Sequence, residues 1–327
     1  MRSDWGGLAG SPDPAAATVS AVPSPGIAAG VADLVGNTPL LRLRLFEEQA
    51  PELEVYAKAE FLNPGGSVKD RPAKGMIMEA VASGRLGPGL TILDSTSGNT
   101  GVAYAMLGAA FGYRVKLVVP ANASAERRQL MTAYGAELVL SDPQEGSDGA
   151  ILLCRQLLEW DPDKYFFPDQ YNNPANWRAH YDTTAIEIWA QTEGRVTHFL
   201  AGLGTSGTFV GTTRRLKELK PSISCVSLEP DDPFHGLEGL KHMESSIVPG
   251  IYDPSLADRH LLGPTDAAYD LARGLARREG ILVGHSSGLG LWGVQQLIEE
   301  GLREGVVVLI CADGGGRYVS TGLYGGY

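Results

Sequence analysis

The sequence predicts an α/β protein of two parallel-sheet, three-layer domains, and three observations predict it. Short apolar runs alternate with helix-prone runs at βαβ spacing along most of the chain, which calls for parallel strands joined by right-handed crossovers. The 42 glycines fall largely between those runs, where tight strand-to-helix turns need them. A length of 327 residues leaves room for two such domains or one large unit. Ligands of such folds bind in the crevice at the carboxyl ends of the strands, so the loops there carry the functional reading.

Residues 1–30 are rich in Ala, Pro, Gly and Ser without periodicity and read as a flexible arm. Gly36-Asn37-Thr38-Pro39 turns into a short apolar segment, and 53–59 reads as a strand leading to Asn63-Pro64-Gly65-Gly66-Ser67-Val68-Lys69-Asp70-Arg71. A helix follows that loop. Strands are then expected at 91–94, 114–120 and 137–141, with helices at 101–111, 124–134 (capped by Ser124) and 148–160. After the Asn172-Asn173-Pro174 turn one helix should run to about Thr192. A second series follows: strand 198–202, helix 208–219, strand 225–229, an irregular Pro- and Gly-rich stretch over 230–265, helix 266–279, strand 281–284, helix 288–300 and strand 306–312.

Composition removes several function classes. A net charge of −11 with dispersed acidic residues and no basic stripe argues against nucleic acid as partner. Cys154, Cys225 and Cys311 are scattered, with no CxxC, so no metal site is expected; reduced thiols in a cytoplasmic protein are. No run is long enough for a transmembrane helix, and no secretory signal is expected at the N-terminus.

Four loops carry the chemistry. In the first, Lys69 stands where a Gly-rich loop becomes a helix start, beside backbone amides of partial positive charge. That setting favours the neutral amine that carbonyl chemistry requires. A solvated lysine in a first helical turn is the plain alternative. The second loop, Ser95-Thr96-Ser97-Gly98-Asn99-Thr100-Gly101, gathers hydroxyls and an amide at a helix N-terminus, which suits a small carboxylate or an ordinary capping cluster. The third, Gly202-Leu203-Gly204-Thr205-Ser206-Gly207-Thr208, follows an apolar strand and opens a helix. It satisfies G-x-G-x-x-G, with Glu229 ending the next strand, as a dinucleotide fingerprint would. Its three hydroxyls, at 205, 206 and 208, favour the terminal dianion of a phosphate monoester instead. The fourth is Val283-Gly284-His285-Ser286-Ser287-Gly288, a capping turn or a site needing a partner. A lysine loop, a carboxylate loop and a phosphate loop at strand ends fit pyridoxal 5′-phosphate.

At these motifs, together with Gln170-Tyr171 before Asn173-Pro174-Ala175-Asn176, the sequence resembles the fold-type II pyridoxal phosphate enzymes of the cysteine synthase family. That family includes the O-acetylserine and O-phosphoserine sulfhydrylases and the cystathionine β-synthase core. The resemblance runs from Gly36 to the C-terminus and implies a tryptophan synthase beta-like architecture. It implies an N-terminal domain over 64–173 and a C-terminal domain made of 31–63 plus 174–327, with the active site between them. Lys69 would hold the cofactor as a Schiff base and later move the substrate's α-proton. Asn99 would hydrogen-bond the cofactor's 3′ oxygen, Gly204, Thr205, Ser206, Gly207 and Thr208 would cradle its phosphate, and Ser286 would face its pyridine nitrogen. Thr96, Ser97, Gly98, Thr100 and Gln170 would hold the substrate carboxylate. The implied reaction is β-replacement on an O-activated L-serine, through an aminoacrylate, to give L-cysteine. The sulfur donor would be sulfide or a carrier protein, and the assembly a homodimer. A phosphoserine-using mycobacterial member has an arginine that aligns with Lys241, which would meet a phosphate as a point charge, or else be a solvated surface lysine. The alternatives are another β-elimination or replacement enzyme (cystathionine β-synthase or a serine/threonine dehydratase), a nicotinamide-dependent oxidoreductase built on Gly202–Gly207 and Glu229, and a non-catalytic α/β protein.

Overall fold

The computed structural model describes residues 28–96 and 98–325, so most of the expected arm and Ser97 lie outside the described residues. In chain order the strands are β1 (Leu40–Leu43), β2 (Glu52–Ala59), β3 (Thr91–Ser95), β4 (Arg114–Pro120), β5 (Glu137–Ser141), β6 (Tyr165–Phe166), β7 (His198–Gly202), β8 (Ser224–Pro230), β9 (Arg259–Gly263) and β10 (Glu304–Cys311). The helices are α1 (Asp70–Ala82), α2 (Asn99–Phe111), α3 (Ala125–Ala133), α4 (Gly146–Trp160), α5 (Pro174–Ala179), α6 (Ala185–Gln191), α7 (Gly207–Leu219), α8 (Thr265–Glu279) and α9 (His285–Glu299).

The strands form two sheets. One has six strands in the order β1-β2-β10-β7-β8-β9, the other four in the order β5-β4-β3-β6. Every pairing is parallel except β1 with β2, an antiparallel edge. The inner strands are apolar without alternation, because helices cover both faces. β3 is buried at every residue. On one face of the larger sheet Val307, Leu309, Leu200 and Val226 pack against Leu289, Val294 and Leu275 from α8 and α9. On its other face Phe199, Ala201, Val308 and Ile310 meet Phe209, Leu216 and Ile188 from α6 and α7. The smaller sheet is likewise sandwiched. Ile92, Leu117 and Val119 pack on α1 and α2, while Leu93 and Val118 pack on Ala150 and Cys154 of α4. Both units are thus three-layered α/β structures.

Four local expectations change. Residues 281–284 form no strand; Val283 makes a single bridge to Gly314. β10 sits inside the sheet with β2 and β7 on its two sides, so an apolar run there has no free edge to pair with. Helix α9 starts at His285 rather than 288, which makes the fourth loop the first turn of a helix. The stretch read as irregular contains β9, paired with β8 as an edge strand. The single helix expected after Pro174 is α5, a π turn over His180–Thr184, and α6.

Candidate active site

Lys69 stands where the Gly65-Gly66 loop enters α1. Gly66 has a φ of +77°, which glycine adopts without strain. The loop is tied to the segment after β10. Val68 N–H donates to the Ala312 carbonyl at 2.7 Å, Ser67 bridges Asp313, and the Arg317 guanidinium donates to the Gly65 carbonyl. Burial pushes the Lys69 ammonium pKa down, against the attraction of Asp313 and Glu60. The amine is therefore biased toward its neutral form, chiefly by loss of water. Lys69 is not the solvated lysine of the plain alternative.

Two adjoining hollows meet at Lys69. The first is lined by Thr96, Gly98, Asn99, Thr100, Gln170 and Lys241. The second is lined by Gly204, Thr205, Ser206, Thr208, Ser286 and Asp313. Lys69, Asn99, Gly204 and Thr205 belong to both, so loops one to four converge on one place. Gly207 stands behind the lining: a Cβ there would overlap Asn176 Oδ1. Ser97 lies outside the described residues.

The carboxylate-type loop is folded on its own hydroxyls. Thr96 Oγ1 accepts from the N–H groups of Gly98 (3.0 Å) and Gly101 (3.1 Å). Thr100 Oγ1 donates to Gln170 Oε1 at 2.9 Å, and Gln170 Nε2 donates to the Ser95 carbonyl at 2.8 Å. Two residues far apart in sequence thus form one wall. Asn99 Nδ2 donates to Asp313 Oδ2 at 2.5 Å, and the Arg317 guanidinium donates to Asn99 Oδ1. Lys241 is 8% exposed, ion-paired with Asp148 at 3.3 Å and 5.3 Å above the Tyr171 ring, which corrects the solvated-surface reading. Glu229, the acidic residue of the dinucleotide alternative, accepts from the Met243 N–H at 2.7 Å and lines neither hollow.

The second hollow fits a phosphorylated cofactor on its own geometry. Ser206 has a φ of +68°, unusual for a residue with a Cβ, and its hydroxyl is buried without a partner. Its loop opens α7, whose first N–H groups and partial positive charge suit an anion, and it contains no Lys or Arg. A Cβ at Gly204 would collide with the Gly239 carbonyl, so the backbone itself forms that wall.

Three residues here were not singled out in the sequence. Asp313 lies two residues past the end of β10, where a strand-end rule would have looked. Tyr318 donates to Asp313, and Arg127 lies 4.6 Å over the Tyr318 ring while pairing with Glu238. No local signal marks these two; only the fold brings them in.

Fold and site together define a pyridoxal phosphate enzyme. Residues 31–313 match the family model described as pyridoxal-phosphate dependent enzyme, and the chain belongs to that family. Among curated relatives it is similar to a cysteine synthase of Aquifex aeolicus, 52% identical over 296 residues, which are 89% of this chain and 90% of the relative. It is similar to cysteine synthase B of Pseudomonas aeruginosa, 45% identical over 295 residues, covering 90% and 97% of the two chains. Among solved structures it resembles the cysteine synthase of Entamoeba histolytica, with a TM-score of 0.87 at 36% identity over 92% of each chain.

Proposed function

We propose that this protein is a cysteine synthase that forms L-cysteine from O-acetyl-L-serine and sulfide. One observation carries the reading: a lysine, a carboxylate-type loop and a phosphate-type loop meet in a single cavity, in a chain 52% identical to a cysteine synthase. When bound, pyridoxal 5′-phosphate supplies the electron sink that makes an amino acid's α-proton removable. Lys69 Nζ would hold the cofactor and, once freed from it by the incoming amino acid, would take that proton and return it; its lowered pKa favours the neutral amine those roles need. The first turn of α2, with Thr96, Gly98, Thr100 and Gln170, holds the substrate carboxylate, and Ser97 belongs to the same loop. Asn99 positions the cofactor's 3′ oxygen; Gly204 to Thr208 hold its phosphate.

Ser286, in the first turn of α9, faces the pyridine nitrogen in this reading. A serine there would not keep that nitrogen protonated, so the bound cofactor would be a weaker electron sink, suited to loss of a β-leaving group together with the α-proton. O-Phosphoserine is the second reading of the donor, supported by Lys241 in the cavity lining. Asp148 already balances that lysine, which favours the neutral acetyl ester. A cytoplasmic homodimer completes the proposal; among the described residues no helix is long and apolar enough to cross a membrane.

Absorbance of the purified protein tests it. A visible band at roughly 410 nm, lost in Lys69→Ala and shifted by O-acetylserine, is expected. A shift with O-phosphoserine alone would move the substrate to the second reading. Bound nucleotide with no such band would overturn the proposal.

A further inference from the structure

Against the Gly204–Thr208 loop packs the segment running from α5 into the π turn, which brings two buried polar side chains, Asn176 and His180. Asn176 Nδ2 donates to the Gln170 carbonyl at 2.6 Å and to Thr205 Oγ1 at 3.1 Å. A backbone carbonyl only accepts, so Gln170 fixes which end of the amide faces the loop. Thr205 therefore accepts from Asn176, and its own proton is free to be donated elsewhere.

His180 repeats the arrangement one step along. Its Nδ1 lies 2.9 Å from Thr184 Oγ1 and its Nε2 3.3 Å from Thr208 Oγ1. Burial, and then the charge of Arg71, push its pKa down to about 3, so near pH 7 the ring is neutral and carries one N–H. Two tautomers are open to it. With the proton on Nδ1, Thr208 must donate to Nε2 and is left with lone pairs for the hollow. With the proton on Nε2, Thr208 accepts from the ring and keeps its proton as a donor, while Thr184 donates to Nδ1. A phosphate dianion offers only acceptors, so the first arrangement sets lone pair against lone pair and the second makes a charge-assisted hydrogen bond.

We infer that His180 is a positioning residue carrying its proton on Nε2, so that Thr208, like Thr205 above Asn176, presents an O–H donor to the cofactor's phosphate. This rests on the pyridoxal phosphate reading of the site. The π turn then sets the hydrogen-bond direction of the cradle from behind.

Phosphate discrimination tests it, because a general loss of packing would not move that quantity selectively. Holoenzyme is dialysed against graded pyridoxal 5′-phosphate and, separately, graded pyridoxal, with occupancy read from visible absorbance. His180→Phe keeps the ring and removes the donor. It should lower the preference for the phosphorylated ligand about tenfold, the usual size for one hydrogen bond to a charged group, and leave pyridoxal binding unchanged. Thr208→Val, which removes the hydroxyl itself, should lower it at least as far, Thr208→Ser should keep it, and His180→Phe added to Thr208→Val should cost nothing more. An unchanged preference in His180→Phe, or an equal loss for both ligands, overturns the inference. Should His180→Phe not fold, nitrogen-15 spectra of histidine-labelled wild-type holoenzyme decide: a protonated Nε2 supports the inference and a protonated Nδ1 overturns it. Wild-type protein that binds neither ligand overturns the cofactor reading and this inference with it, whereas normal wild-type binding with unaffected variants overturns this inference alone.

Discussion

His285 begins α9 beside the proposed cofactor site, stacked on Tyr269 (centroids 5.0 Å apart) and tilted against Tyr318 (4.2 Å). Burial pushes its pKa down to about 4, with Asp313 opposing that shift and Arg127 adding to it. In the unfolded chain the group titrates near its ordinary value of about 6.5. The folded state thus binds fewer protons than the unfolded state between those two values. The stabilising contribution is complete above about pH 6.5 and is lost as pH falls toward 4, at up to about 1.4 kcal/mol per pH unit. His285→Phe keeps the stacking and cannot titrate. Its melting temperature should fall less than that of the wild type between pH 7 and pH 4.5, and equal slopes would show that His285 does not carry the acid sensitivity.

At the scale of elements, the phosphate-type loop keeps its shape because α7 lies unusually close to α5. A Cβ on Gly211 would run into the Trp177 carbonyl, which is backbone and has no rotamer to escape through. Gly211→Ala should therefore force the two helices apart and destabilise the fold by roughly 3 kcal/mol, seen as a lower urea midpoint. It should also weaken cofactor retention, because α7 opens with the loop itself. A variant of wild-type stability would mean that the two helices part at no cost. The first three chemical loops were readable in the sequence because their signal is local: glycine where the chain turns, hydroxyls where a helix starts. Which residues support them was not readable, although Asn176 stands in one of the motifs that carry the family resemblance. Asn176 and His180 lie about thirty positions from the loop they back, and nothing in the composition of α5 says which loop it will meet.

Across the whole molecule, a buried ionic network joins the lysine loop to the larger sheet. Arg71, two residues after Lys69, pairs with Glu60 at 2.7 Å and Glu187 at 2.6 Å, and Lys58 pairs with Glu187 at 2.7 Å. Thr38 donates to Glu60 at 2.6 Å, which gives the Gly36-Asn37-Thr38-Pro39 turn its place in the network. Burial opposes charge on Glu187, yet the hydrogen bonds and charge of Arg71, with those of Lys58, hold its pKa down at about 2. Arg71→Met should leave the buried Glu60 without its cation and the partly buried Glu187 with Lys58 alone, and cost about 3–5 kcal/mol, measured as a shift of the denaturation midpoint. A change below about 1 kcal/mol, the size typical of an exposed pair, would mean that water reaches these carboxylates.

The class of fold, the order of the main strands and helices, and the loops that carry the chemistry are all legible in the chain before it folds. Each of these follows from spacing and turn chemistry within a few residues. What depends on partners distant in sequence was settled by packing. The apolar run at 281–284 became a helix approach because β2 and β7 already flank β10, and Arg259–Gly263 became an edge strand because β8 had a free side. Lys241, which the sequence left between a phosphate contact and a solvated surface position, is buried beside Asp148 and Tyr171. Asp313 reached Asn99 only when the end of the larger sheet met the start of α2. Local pattern specifies where a chain turns and which faces are apolar; which polar group meets which is fixed only in the assembled fold.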